Sequence, residues 1–227
     1  MILDSNDLTR YFMHIYRAIF ISVFFLFISS VQVFTSETDI NPDPGKTEST
    51  LLRIKDASSD IVTLTGDFVQ KKKVEILKNM PDSRGKFFYK KPDRLRWEIT
   101  EPVRMGFIVN GDQGKKWRKK ADRYRKFNVS KEPIISVIAG QVFAWARGDF
   151  NKLKEGYEIS ILSESPAKVK LVPLSPLEKK YVSSIILSFS DTDNYVENLE
   201  INETRGGCTQ VTFYNMVIND ELPEDIF

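Results

Sequence analysis

One histidine, one cysteine and no apolar run of membrane-spanning length set the first limits on this 227-residue chain. His14 stands in an N-terminal segment that reads as removable, so neither a Ser-His-Asp nor a Cys-His arrangement can be built in the mature protein. Cys208 is alone, which excludes an intramolecular disulfide and any paired-cysteine metal site. Within a β-patterned run it reads as a small, buried or half-buried apolar residue, with no base nearby to activate it. Zinc and EF-hand spacings are absent, and the stretch from Gly106 to Gly114 lacks the Gly-Lys-Ser/Thr of a phosphate loop. Asp191 and Asp193 could form an acid–base carboxylate pair, but they fall in a turn, where acids are common. These absences disfavour an enzyme, and no cofactor or metal is expected.

The N-terminus reads as an address. Arg10, His14 and Arg17 precede the apolar run from Ala18 to Ile28, which is shorter than the roughly 20 residues needed to cross a bilayer. Residues 1–36 are therefore expected to be a signal peptide, cut near Thr35 or Ser36, with Met13 an alternative start and an uncleaved anchor the alternative outcome. No cysteine stands directly after the apolar run, so the mature protein is not itself expected to be lipidated. Residues 37–47, marked by Pro42, Pro44 and Gly45, read as a linker, and residues 48–227 as one exported domain.

Charge is unevenly distributed behind a net value of +2. From Lys71 to Lys131 there are 20 Lys/Arg against 7 Asp/Glu, whereas from Asp191 to Phe227 there are 9 acids against Arg205 alone. The densest stretch runs from Lys115 to Lys126, with Lys115, Lys116, Arg118, Lys119 and Lys120 around Trp117. Behind a signal peptide such a run suits lipid headgroups or an acidic protein surface better than nucleic acid, which is not expected as a partner. The plainer reading is a solvated hairpin whose charges blunt a sheet edge.

Hydrophobic residues make up 41% of the chain and include 16 Phe, composition that favours β-structure. Val62, Leu64, Gly66 and Phe68 alternate with more polar residues; so do Leu95, Trp97 and Ile99. The same period recurs at Tyr157, Ile159 and Ile161, at Ile185, Leu187 and Phe189, and at Val211 and Phe213. Side chains on a strand point to opposite faces in turn, so each run has one apolar face. Turns at Asn110–Asp112, Asp191–Asn194 and Gly206–Gly207 separate the runs at hairpin spacing. A large, sequential antiparallel sheet with one greasy face must then be covered. A short helix with Leu51, Leu52 and Ile54 inward is expected before the sheet. A second is expected from Ile134 to Arg147, with Ser130 as N-cap and Pro133 in its first turn. That second helix is apolar nearly all round, as in a helix that meets apolar surroundings on several sides.

The order of certain stretches resembles the outer-membrane lipoprotein carrier (LolA) family. They are Gly66–Gln70, Gly85 to Pro102 with its basic corner at Lys91 and Pro92 and an aromatic at Trp97, Val109–Gly111, Trp117, Leu171–Pro173 and Thr209–Phe213. The resemblance spans roughly residues 48–227. It implies a mainly β fold, an unclosed antiparallel β-barrel lidded by α-helices around an apolar cavity, and a non-catalytic, monomeric, periplasmic carrier. Its implied cargo is acylated lipoproteins, taken from an inner-membrane ABC releasing complex and passed to an outer-membrane receptor. A different envelope lipid or glycolipid, or a membrane-anchored interaction or sensor module, remains open. By the resemblance Leu95, Trp97, Phe107 and Val109 point into the cavity, and the pattern adds Leu64, Phe68, Leu187, Phe189 and Phe213. Pro133, Ile134, Ile135 and Ile138 fall on the lid. The family often has Arg before the corner proline, where it holds the lid; here Lys91 stands there, and Arg94 is the candidate substitute. Family members usually continue past a Phe like Phe227, so further chain is expected there.

Overall fold

Alternating patterning becomes eleven strands in the computed structural model, which describes residues 44–73, 82–119 and 123–227. The expected signal peptide, most of the expected linker, and Lys120 lie outside the described residues. Among the described residues a helix α1 (Pro44–Ser58) comes first, beginning four residues inside the segment read as linker. The strands are β1 (Thr63–Lys73), β2 (Ser83–Lys90), β3 (Arg94–Glu101), β4 (Met105–Asn110), β5 (Gln113–Arg118), β6 (Tyr124–Asn128), β7 (Tyr157–Glu164), β8 (Ala167–Pro173), β9 (Val182–Phe189), β10 (Val196–Glu203) and β11 (Cys208–Ile218). Helices α2 (Pro133–Ala146) and α3 (Phe150–Lys154) lie between β6 and β7, and α4 (Pro176–Lys179) between β8 and β9.

All eleven strands form one antiparallel sheet in the order β6-β5-β4-β3-β2-β1-β11-β10-β9-β8-β7. Every neighbour is the next strand in sequence except β1 and β11, where the two ends of the sheet sequence zip together with Phe68 opposite Phe213. The edges β6 and β7 do not pair, so the expected unclosed antiparallel sheet is what forms. The chain between those two edges is the helical connection, and α2 and α3 occupy it.

Register puts the apolar residues of successive strands in line. Tyr89 stands opposite Leu64 and Leu95, Leu95 opposite Val109, and Trp97 between Phe87 and Phe107. Two glycines make room for rings on this face. A Cβ on Gly85 would collide with the Phe68 ring, and one on Gly114 with the Phe127 ring. Val62 departs from the expected phase: it precedes β1 and is 51% exposed, while Leu64 and Phe68 are buried. Its backbone N–H is captured by the Asn219 side chain instead of by a strand partner.

Helix α1 buries Thr50, Leu51, Ile54 and Ser58, a stripe at helical spacing. Leu52, expected inward, is exposed because it lies about 100° round the helix from Leu51. Arg53 ties this helix to the β9–β10 turn through Asp193 (2.7 Å) and to the Glu164 carbonyl. The N-terminus of α2 also differs from expectation. Asn128 at the end of β6 accepts the Ser130 N–H, which folds Val129–Lys131 into a short 3₁₀ turn. Glu132 becomes the N-cap residue, without a side-chain cap, and Pro133 takes the first helical position, where its missing N–H costs nothing.

Candidate functional site

The concave face of the sheet carries two kinds of apolar surface, one filled and one open. The filled part lies under the first half of α2. Leu95, Phe107, Val109 and Phe127 from the sheet close around Ile135 and Ala139, with Val142 and Phe143 alongside. Leu95 is fully buried, and Phe107 and Val109 are nearly so. On the far side, Leu187 and Phe189 are buried as well, Phe189 against the Phe150 ring of α3 at 6.2 Å.

The open part lies under the second half of α2. A half-open cleft of about 30 Å³ is walled by Leu64, Phe87, Trp97 and Phe213 on the sheet and by Val142, Trp145 and Ala146 on the helix. Tyr195 just before β10, Val196 on β10 and Met216 on β11 complete it. With α2 in place it has room for little more than a water or two, so anything larger can enter only if the helix moves. The floor is a ring stack: Phe68 lies on Trp97 at 4.4 Å, and Phe213 meets both Trp97 and Phe87 edge-on. Such pairs hold large rings in fixed positions without polar partners, so the wall is preformed.

Among the residues read as cavity-lining, Leu64, Trp97 and Phe213 therefore line the cleft. Phe68 supports it from behind, and Leu95, Phe107, Val109, Leu187 and Phe189 are packed against protein. Sequence periodicity identified the face but missed Phe87, Val142, Trp145, Tyr195 and Met216. For Phe87 the same alternation was available, since Gly85, Phe87 and Tyr89 share a face.

The residues expected on the lid, and those expected to hold it, fall in different places. Ile135 is buried in the filled part. Pro133, Ile134 and Ile138 occupy the first half of α2, and their side chains lie outside the described residues. Lys91, at the position where the resemblance implies a lid-holding residue, donates from Nζ to the Ser59 carbonyl at 2.6 Å, so it fastens the end of α1 instead of α2. Arg94 is half-buried at the start of β3, opposite Asn110. The tie to α2 is made by a residue from the basic run. Lys116 faces inward beside Phe107 and forms an ion pair and hydrogen bond with Glu132, the N-cap of α2. Its Nζ also lies 5.5 Å from the Phe127 ring centre.

The C-terminal end of α2 has its own polar pair. Arg147 sits over the Phe143 ring at 5.6 Å and beside the hydroxyl of Tyr89, which is fully buried. Burial raises the Tyr89 pKa, and the neighbouring Arg147 offsets this only in part. Tyr89 Oη, Arg147 Nε and Trp145 Nε1 have no hydrogen-bond partner in good geometry among the described residues. At the opposite edge Gln141 Nε2 donates to Tyr157 Oη at 2.8 Å, joining α2 to β7.

The remaining candidates resolve into supports. Asp193, considered for acid–base work, is buried and accepts from the Arg53 guanidinium and from the Ala167 N–H at 3.0 Å, while Asp191 is exposed. Cys208 is half-buried at the start of β11, its thiol pKa raised first by burial and then by the Glu200 charge. No cluster of metal-ligating side chains occurs among the described residues. No helix among them is long and apolar enough to cross a membrane.

Comparison with known proteins follows the same line. The family model described as "Outer membrane lipoprotein carrier protein LolA" matches residues 59–227. No curated protein matches. Among solved structures, MucB is similar over 82% of this chain and 63% of its own, with 15% identity and a TM-score of 0.49. This chain thus spans less than two thirds of MucB. LprF from Mycobacterium bovis is similar over 80% of this chain and 97% of its own, at 14% identity and a TM-score of 0.44. A LolA superfamily protein, NE2245 from Nitrosomonas europaea, is similar over 80% and 96%, at 12% identity and a TM-score of 0.40.

Proposed function

This chain belongs to the outer membrane lipoprotein carrier (LolA) family, and we propose that it is a periplasmic carrier whose cleft shields lipoprotein acyl chains between the inner and outer membranes. The family is one of lipid- and lipoprotein-binding carrier-like proteins. The observation that carries the finer reading is the half-open cleft between the preformed aromatic floor and the second half of α2. In this reading Leu64, Phe87, Trp97, Phe213, Val142 and Trp145 hold acyl chains, and α2 is the lid. An inner-membrane ABC complex supplies the cargo and an outer-membrane receptor removes it.

Magnitudes favour an incompletely closed site. Burying one CH₂ is worth about 0.8 kcal/mol, so a fully covered sixteen-carbon chain would gain roughly 12 kcal/mol. Two such chains in a perfect enclosure would not be released. The cleft is too small for a chain while α2 is in place, so the lid's own apolar contacts must yield before any chain can enter, and that lowers the figure. In the filled part, Ile135 and Ala139 already occupy the space a longer chain would need. Loading beyond the cleft therefore exchanges protein contacts for lipid contacts, with a small net gain.

The direct test is to offer the purified protein a synthetic lipopeptide ending in a diacylglyceryl-cysteine, a phospholipid and a lipid A-type glycolipid, and to measure what stays in solution with it. Preferential retention of the lipopeptide supports the lipoprotein reading. Preferential retention of the glycolipid moves the cargo to a different envelope lipid. Retention of no acylated compound overturns the carrier reading and favours an interaction or sensor module.

A further inference from the structure

Lys116 is engaged by Glu132, but the other described cations of the same basic run have no such partner among the described residues. Lys115, Arg118, Lys119, Arg123, Arg125 and Lys126 are in no ion pair among the described residues, and all but the half-buried Lys115 are exposed. Among the described carboxylates of this part of the sheet and of the α2 N-terminus, Glu98 is paired with Arg96, Glu101 with Arg84 and Glu132 with Lys116. The charge is gathered where the β5–β6 and β3–β4 connections meet. The Lys119 N–H donates to the Arg104 carbonyl at 2.6 Å, which fastens the β5–β6 tip to the β3–β4 turn and brings the exposed Arg104 alongside. Tyr124 opens β6 at this tip, 47% exposed, with Lys115 Nζ 5.5 Å from its ring centre.

We propose that this tip, with Arg118, Lys119, Arg123 and Tyr124 and with Arg104 beside it, docks on the anionic phospholipid headgroups of a bilayer. Unpaired Lys and Arg on long stems suit a fluid array of phosphates, which fixes no single geometry. A tyrosine ring beside them has the amphipathic character of residues that settle at headgroup depth. A protein partner that added a strand would need the open edge of β6. That edge presents Tyr124, Arg125 and Lys126, exposed side chains of the kind that discourage strand addition. The surface lies outside the cleft, so its test does not depend on the carrier reading.

The experiment is flotation of the purified full chain with vesicles of phosphatidylglycerol and phosphatidylethanolamine in equal parts, compared with vesicles of phosphatidylcholine alone. The apolar run from Ala18 to Ile28 can partition into either lipid, so the readout is the difference between the two vesicle types. The expected result is a preference for the anionic vesicles at low salt that disappears at high salt, as the screening length falls from about 30 Å at 0.01 M to about 3 Å at 1 M. Combined Arg118→Gln, Lys119→Gln and Arg123→Gln should weaken it on the order of a hundredfold, about fivefold per cation. Tyr124→Ser should weaken it at unchanged charge. A matched loss of charge elsewhere, Lys46→Gln with Lys152→Gln and Lys154→Gln, should leave the preference intact. The proposal is overturned if the hairpin variant keeps the preference, or if the matched control loses it equally. Absence of any anionic preference at low salt also overturns it, and leaves an acidic protein face as the occupant of these charges.

Discussion

Val142→Glu is the substitution that separates the cleft from the core. Val142 lies on the cleft side of α2 and is half-buried, so in the unloaded protein a glutamate there can keep its carboxylate in water. Glu is at least as good a helix former as Val, the whole range for ordinary residues being about 0.7 kcal/mol. Val142 also packs at the margin of the core cluster, so stability should fall by about 1–3 kcal/mol, the ordinary range for a point substitution, and leave the protein folded. Loading is different. An acyl chain laid across Trp97 and Phe213 would seal that carboxylate into an apolar enclosure, at an effective cost of several kcal/mol per ion. At 1.4 kcal/mol per tenfold, affinity should fall by roughly two to three orders of magnitude. Urea unfolding followed by far-ultraviolet circular dichroism gives the first quantity, and displacement of a fluorescent fatty acid the second. Undiminished affinity in the folded variant, or a loss of affinity matched by a loss of fold, would refute the assignment of this cleft.

Leu95→Ala should show the converse. Leu95 is enclosed by Phe107, Val109, Phe127, Ile135 and Ala139, and truncation of such a residue costs about 2–5 kcal/mol; the urea midpoint should drop well before displacement of the fluorescent probe changes. Lys116→Gln removes the tie at the start of α2, and amide hydrogens of its first turns should exchange faster while those of β2 and β3 do not. Cys208 has its thiol pKa raised by burial and by Glu200, so alkylation should be slow at neutral pH and should accelerate only above the ordinary value of about 8.5. The linked stability is fully present below the unfolded thiol pKa and is lost as pH rises through the higher folded value, so unfolding at alkaline pH should be easier in wild type than in Cys208→Ala.

Much of the sheet was legible because strand alternation depends only on neighbours in sequence. Leu95, Trp97 and Ile99 announce one face of β3, and the turn at Asn110–Asp112 announces the β4–β5 hairpin. The family was legible for a related reason: the corner at Lys91 and Pro92 and the glycine-led strand at Gly85 sit at fixed distances along the chain. What escaped depends on tertiary cover. Leu95 and Trp97 carry the same signal, yet α2 fills the space over one and leaves the other beside an opening. Lys116 stands in a run of like charges, where alternation is masked, and only the pairing with Phe107 turns it inward to Glu132. Ser130 had the chemistry of a helix cap, but Asn128 reached its N–H first. In each case two residues of equal promise were separated by a third, distant in sequence or in register.

The central claim is that acyl chains occupy the cleft under the second half of α2. Native mass spectrometry of the protein purified from the cell envelope without detergent tests it most directly, with solvent extraction of any bound mass. The account predicts adducts of acylated peptide or lipid mass on the wild type and on Leu95→Ala where it remains folded, and their loss from Val142→Glu. A wild-type protein that stays bare when offered both lipopeptide and phospholipid, or adducts that persist on Val142→Glu, would contradict it.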